Sequence, residues 1–328
     1  MIESSQQVGT RKERPGRRIY WVGAAMLVAL LSVELYKLWP RYWDHRTATI
    51  SILHLQAEGA ADKIGAYIAA ITSQVGWTTQ LPWSVGTMEQ HRFDALRLLR
   101  LVPAITTFRK LDSSGREQLR QSLGKPSLYD GPTDFSQAPE FTVAMQRKIY
   151  YGPVYFWRQS EPYMTLALAG TRRESGVSVA EVNLKLMWDV ISQIKVGERG
   201  DAYVVDREGR LIAHPDISLV LRNTDMSQLA QVQAARQAAD APADVAQEAR
   251  DIAGREVLAA YAPVTPLGWI VFVELPVAEA FAPLYAELEL SFGLLLLVML
   301  AFFGIAWFSR RPRRWASRKV SGPSEVIE

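Results

Sequence analysis

The chain has no cysteine. Disulfides, thiolate catalysis and cysteine-bound metals are thereby excluded, and an oxidising compartment is permitted without being required. Histidine is scarce as well. The four, His45, His54, His91 and His214, give His214 no partner at metal-ligand spacing, and no His-Glu-x-x-His run occurs. A glycine-rich phosphate loop, a nucleophile elbow and a carboxylate pair with supporting context are also missing. An enzyme is therefore not expected, and no cofactor or metal is implied. The last absence is local: no charged residue lies between Leu290 and Phe308.

As a helix that uncharged stretch spans roughly 28 Å, close to the ~30 Å hydrocarbon core of a bilayer, so a transmembrane helix is expected over 288–308. A second apolar segment, 19–39, carries Glu34 and Lys37 only near its far end, where side chains snorkel to the interface. A cleaved signal peptide is the competing reading of this segment. Leu35, Tyr36, Leu38 and Trp39 stand where small cleavage-site residues belong, which favours retention.

Arginines and a lysine flank the outer ends of both segments, Arg11, Lys12, Arg14, Arg17 and Arg18 before the first and Arg310, Arg311, Arg313, Arg314 and Arg318 after the second. Both termini, 1–18 and 309–328, are then cytoplasmic, and the region between the spans lies on the far side of the membrane. The net charge of +3 and the pI of 9.0 come largely from these clusters. They suit anionic lipid headgroups, and nucleic acid is not an expected partner.

Past the first span, Ile50, Leu53, Ala57, Ala61, Ile64, Ile68, Ile71 and Val75 recur at spacings of three and four. This predicts a stalk helix over 40–78 whose apolar stripe packs on the protein's own sheets or on a second subunit. Pro82 and Gly86 interrupt the pattern, and Met88–Leu101 is helical again, with Phe93, Leu96 and Leu99 on its apolar side.

Strands follow at Ala104–Leu111 and Glu117–Ser122 around the turn Asp112-Ser-Ser-Gly115. The most legible hairpin is Val196–Asp216, with strands at Ala202–Val205 and Leu211–His214 around Asp206-Arg-Glu-Gly209. Asp206 is expected to organise that turn, and His214 to fix the loop before Pro215 by a hydrogen bond.

A weak internal repeat emerges. Ile149–Trp157 and Tyr163–Ala169 in a first copy match Val257–Val264 and Trp269–Glu274 in a second, with Tyr151-Gly-Pro-Val facing Tyr261-Ala-Pro-Val. Gly176–Val182, a strand, and Leu184–Ile194, a helix, open the second copy, and Ser227–Ala253 reads as helix followed by a flexible crossing. The fold class is α+β, with two modules at 79–175 and 176–286.

The run Val196-Gly197-x-x-Gly200-x-Ala202-Tyr203-Val204-Val205-Asp206-x-x-Gly209-x-Leu211-Ile212-Ala213-His214-Pro215 and the closing Tyr261-x-Pro263-x-x-x-Leu267-Gly268-Trp269 resemble the double-Cache extracytoplasmic sensor domains of bacterial transmembrane receptors. The resemblance implies two tandem PAS-like modules on a long N-terminal helix, a small ligand received in the membrane-distal module, a homodimer, and signals passed through the transmembrane helices. Receptors of this kind commonly continue into a HAMP linker and a kinase, cyclase or chemotaxis region. Here only 309–328 follow the second span. Output is therefore expected from a separate protein such as a kinase or cyclase, and the alternative is a split or truncated receptor serving as a membrane-anchored binding module.

Some members of the family bind amino acids through an Arg-x-Trp-Tyr element and an aspartate on the strand before the next helix. Arg147-Lys148-Ile149-Tyr150 matches this in part, with Ile149 in place of the tryptophan and Glu181 in place of the aspartate. The expected ligand site is accordingly Arg147, Tyr150, Tyr151, Tyr155, Trp157 and Glu181, suited to a small carboxylate or an amino acid. The alternative makes Tyr150 and Tyr155 ordinary sheet residues and Arg147 a solvated helix-end charge. Tyr203, His214 and Tyr261 are candidates for a further pocket, with core packing as the default.

Overall fold

The computed structural model describes residues 16–80, 87–123, 133–157, 161–238 and 247–309. They form two units, one made of the chain through His45 together with the chain from Ala282, the other of Arg46–Phe281.

Helix α1, Gly16–Gln80, continues through Pro40. In the second unit it buries Leu53, Ala57, Ala61, Ile64, Ile68, Ile71 and Val75, the stripe read from the sequence. The cover comes from the same chain. A Cβ on Gly76 would touch Leu168, and one on Gly65 would lie 3.3 Å from the Thr265 carbonyl. The apolar stripe is thus consumed internally and is not what would hold a second copy.

Helix α2, Met88–Leu101, opens on a capping box in which Thr87 and Gln90 bond reciprocally. It buries Ala95, Leu98 and Leu99. Phe93 and Leu96, expected on the apolar side, are exposed, so the helix is turned relative to its sequence reading.

The first module contains β1 (Ile105–Leu111), β2 (Glu117–Ser122), α3 (Pro139–Arg147), β3 (Ile149–Trp157), β4 (Glu161–Ala169) and β5 (Val177–Asn183). Its antiparallel sheet has the order β2-β1-β5-β4-β3. The second contains α4 (Lys185–Ser192), β6 (Asp201–Val205), β7 (Leu211–Ala213), α5 (Ile217–Leu221), α6 (Ala230–Gln237), β8 (Gln247–Arg250), β9 (Glu256–Val264) and β10 (Trp269–Pro276), with the order β7-β6-β10-β9-β8. Helices α7 (Val277–Ala280) and α8 (Ala282–Ser309) close the described chain. Within α8, Ala282–Phe302 is, among the described residues, the one stretch long and apolar enough to cross a membrane, and none of it is buried.

The two sheet orders are the same pattern, which corrects two expectations. Strand β5, read as the opening of the second module, lies between β1 and β4 at the centre of the first sheet, so a boundary at 175/176 would cut that sheet and the first module runs through Asn183. The repeat is also shifted by one strand: Tyr151-Gly-Pro-Val is on β3, whose counterpart is β8, whereas Tyr261-Ala-Pro-Val is on β9, the counterpart of β4. β8 lies within the segment expected to be a flexible crossing.

The turns place the two modules in register. Asp112 Oδ1 accepts from the amides of Ser114 and Arg116, and Asp206 Oδ1 from those of Glu208 and Arg210, as expected for Asp206. Gly115 and Gly209 have φ of 86° and 90°. Each lies under an Asp-x-Ser segment, and a Cβ would come within 2.6 Å of Ser136 Cα or 2.9 Å of Ser227 Cα. Counting back from Asp112 and Asp206, Arg109 corresponds to Tyr203 and Thr107 to Asp201.

Candidate functional site

Strand alternation sends neighbouring side chains to opposite faces, and the ladder register says which side chains share one. Thr107 and Glu181 are partners, as are Arg109 and Val179, Glu181 and Thr165, Val179 and Ala167, and Ala167 and Tyr150. One end of this face is covered by α3, where Phe141 and Ala144 pack with Leu111, Ala167, Val177 and Val179, and Tyr150 lies against the cluster.

Beyond the apolar patch the face turns polar. Arg109 is 8% exposed, and its guanidinium lies 4.9 Å from the Phe135 ring centre. Glu181 Oε1 and Glu140 Oε1 approach it at 3.7 and 3.9 Å. Those separations allow charge attraction but exceed hydrogen-bond length, and Arg109 Nε is buried with no hydrogen-bond partner. A guanidinium brings five N–H donors, and buried donors left unbonded are costly. A carboxylate docked in parallel on Arg109 would fill them, while Glu181 and Glu140 suit an ammonium group. Burial pushes Tyr155 up to about 12, with the Glu181 charge adding to the effect. Burial also raises Tyr150, with Glu140 next. Both phenols therefore stay neutral donors.

The register passes from Tyr151 opposite Leu166 to Val154 opposite Met164, so β3 holds one extra residue at Gly152-Pro153. This bulge reverses the alternation and brings Tyr150 and Tyr155 to the same face. Tyr155 stacks on Tyr163, with ring centres 6.1 Å apart.

Of the six expected residues, the structure brings Tyr150, Tyr155 and Glu181 together. Tyr151 is on the other face, paired with Leu166, which is in turn opposite Ala180. Arg147 is exposed at the last turn of α3. The next residue, Lys148, accepts from the Ala169 amide, four residues along β4 from the partner of Glu181 and hence about 13 Å away. Trp157 ends β3 opposite Glu161; its side chain lies outside the described residues. Arg109, which sequence reading passed over, is the buried cation on this face.

In the second module a cavity of about 440 Å³ is lined by Asp201, Tyr203, His214, Asp216, Asp251, Arg255 and Glu274, among others. Tyr203 stacks on Phe272 with ring centres 5.1 Å apart. His214 Nδ1 accepts from the Asp216 amide at 2.8 Å, the loop-fixing bond expected of it. Tyr261 packs against the core and is not in the cavity lining.

Two five-stranded modules beside a long helix, with polar groups gathered on one sheet face, define a sensor-type ligand-binding domain. The family model of the Cache domain, in its double form, matches residues 46–284, and the chain belongs to this family. No curated protein matches it.

Among solved structures, the ligand-binding domain of the Pseudomonas aeruginosa PAO1 amino acid chemoreceptor PctB, in complex with L-Arg, is 17% identical with a TM-score of 0.53, over 71% of this chain and 97% of that one. That of the Pseudomonas fluorescens chemoreceptor CtaA, with L-leucine, is 16% identical with a TM-score of 0.52, over 72% and 98%. The extracellular domain of mmHK1S-Z3, assigned as a histidine kinase, is 14% identical with a TM-score of 0.55, over 74% and 98%. At these identities the likeness is one of fold.

Proposed function

We propose that the protein is a membrane-bound sensory receptor, or the sensor subunit of one, whose first module binds a small molecule carrying both a carboxylate and an ammonium group. The observation that carries this is Arg109, buried, without a hydrogen-bond partner on Nε, and flanked by two carboxylates. Arg109 takes the ligand carboxylate, Glu181 and Glu140 the ammonium, and Tyr150 and Tyr155 the walls. That PctB and CtaA are amino acid and chemoreceptor domains holding L-Arg and L-leucine supports an amino acid as the ligand class.

The ligand signals only by binding two conformations of the receptor with different affinity. Two spans, 19–39 and 288–308, carry that change, with both termini cytoplasmic and the Cache domain periplasmic. Arg41 and Glu287 support this arrangement: they pair at 3.2 Å, one just after the first apolar segment and the other just before the second. Trp39 and Trp43, with ring centres 6.4 Å apart, suit an interfacial aromatic belt at the same level. The receptor acts as a homodimer and passes its signal to a separate kinase, cyclase or other output protein.

The test is isothermal titration of the full chain in detergent with the standard L-amino acids. At least one should bind, Arg109→Ala should weaken it roughly tenfold or more, and Arg147→Ala and Tyr151→Phe should leave it unchanged. Retention of full affinity by Arg109→Ala, or its loss in Arg147→Ala, overturns the assignment.

A further inference from the structure

The register between modules makes Glu274 the counterpart of Glu181, because Glu274 is opposite Asp201 as Glu181 is opposite Thr107. The carboxylate on the central strand is therefore kept in the second module while its surroundings change. Tyr203 stands in the place of Arg109, and Asp201 in the place of Thr107. The guanidinium that would receive a ligand carboxylate is gone, and a second acid has been added directly across the ladder. Like charges in that relation repel.

The cavity at this position is lined by four carboxylates, Asp201, Asp216, Asp251 and Glu274, and by one guanidinium, Arg255. Arg255 is already engaged, with Nε 2.6 Å from Asp251 and Nη2 3.8 Å from Asp201. Asp216 caps α5 through the Ser218 amide.

Glu274 is different in kind. It is 4% exposed, and that exposure faces the cavity. Tyr203 Oη and Gln231 Nε2 both donate to the same oxygen, Oε1. No described group donates to Oε2. Next to it, Gln231 Oε1 is buried with no partner either. An aromatic wall completes the setting, with Tyr203 and His214 rings 6.2 Å apart, and such faces attract cations. Among the described residues no three acidic or histidine side chains are close enough to share a metal ion, and the aromatic lining beside the carboxylates suits an organic cation. A volume of about 440 Å³ suits a small molecule.

We propose that the second module has a ligand site of its own, in which Glu274 and Asp201 bind the ammonium group of a small organic amine that carries no carboxylate. Glu274 holds the cation at the cavity floor, Asp201 beside it, and Tyr203 and His214 line the approach. The site is separate from the first-module site and opposite to it in what it excludes, since a ligand carboxylate would meet Glu274, Asp201 and Asp251 with no free guanidinium.

The test is calorimetric titration of the full chain in detergent with 1,4-diaminobutane, and with 4-aminobutanoate, which has the same four-carbon chain with a carboxylate at one end. The diamine should bind, and Glu274→Gln, which keeps an acceptor for Tyr203, should weaken it roughly tenfold or more. Asp201→Asn, at a more exposed position, should weaken it as well and serves alone if Glu274→Gln does not fold. Glu181→Gln, which alters the first module, should leave diamine binding unchanged, and 4-aminobutanoate should not displace the diamine. Absence of diamine binding, wild-type affinity in the cavity variants, or loss of binding in Glu181→Gln each overturns the proposal. Absence of diamine binding, or wild-type affinity in the cavity variants, leaves the Arg109 site standing.

Discussion

Glu274 should make this protein less stable as the pH rises through neutrality. Burial pushes its carboxyl from 4.5 up to about 7, against the lowering effect of the hydrogen bonds from Tyr203 and Gln231, with the charges of Asp251 and Asp201 raising it further. The folded state therefore holds a proton that the unfolded chain has already released between pH 4.5 and 7. The stabilisation this gives is complete below pH 4.5 and is lost as the pH rises through about 7. At about 1.4 kcal/mol for each factor of ten, the loss is about 3 kcal/mol. For a domain of this size that corresponds to about 6–12 °C in the unfolding midpoint. His214 works in the opposite direction, since burial lowers its pKa and stability falls as the pH drops and the ring must charge. The informative quantity is therefore the difference between wild type and Glu274→Gln, which removes one titration and leaves the other. Thermal unfolding of the full chain in detergent, at pH 5 and pH 8, measures it. The variant should gain on wild type by that amount at pH 8 relative to pH 5. Midpoints that move in parallel would refute the reasoning.

Lys110 is 2% exposed and its ammonium donates to the Ser178 hydroxyl at 3.2 Å; burial lowers its pKa to about 8. Lys110→Met should stabilise the fold at pH 7, by up to about 3 kcal/mol in chemical denaturation, and the advantage should shrink as the pH rises above 8 and wild-type Lys110 becomes neutral. Gly209→Ala places a methyl group against Ser227 at a positive φ, so chemical denaturation should show a loss of at least about 1 kcal/mol. The natural lack of cysteine makes topology directly measurable: Ser113→Cys should react with an impermeant maleimide in intact spheroplasts, and Ser5→Cys and Ser321→Cys only after permeabilisation.

Much of the first module could be read locally. Glu117–Ser122 and Ile149–Trp157 are strands over the residues expected, the first because the Asp112–Gly115 turn sets its start and the second because of its aromatic and β-branched run. Strand partnership is not local: β5 pairs with β1, about 70 residues earlier in the chain, and nothing in Val177–Asn183 says which sheet receives it. Strand β8 was missed because Gln247–Arg250 is polar, as an edge strand can be. Arg109 left a trace that went unread. Arg109 and Lys110 are adjacent cations in a run bounded by Ile105 and Leu111, so alternation had to send one to each face of a buried sheet. Tyr151 could not share a face with its neighbour Tyr150, because adjacent strand residues point to opposite sides, and the bulge after it is what returns Tyr155 to the face of Tyr150.

That bulge has a consequence for how the protein behaves among its own copies. Strand β3 is at the edge of its sheet, and its nine residues, Ile-Tyr-Tyr-Gly-Pro-Val-Tyr-Phe-Trp, carry no charge. A flat edge of that composition is a template for strand addition by another chain and a seed for aggregation. The extra residue bends the edge, and Pro153 removes an amide donor from the middle of it. The device that aims two tyrosines into the candidate site thus also interrupts the surface most prone to intermolecular zippering.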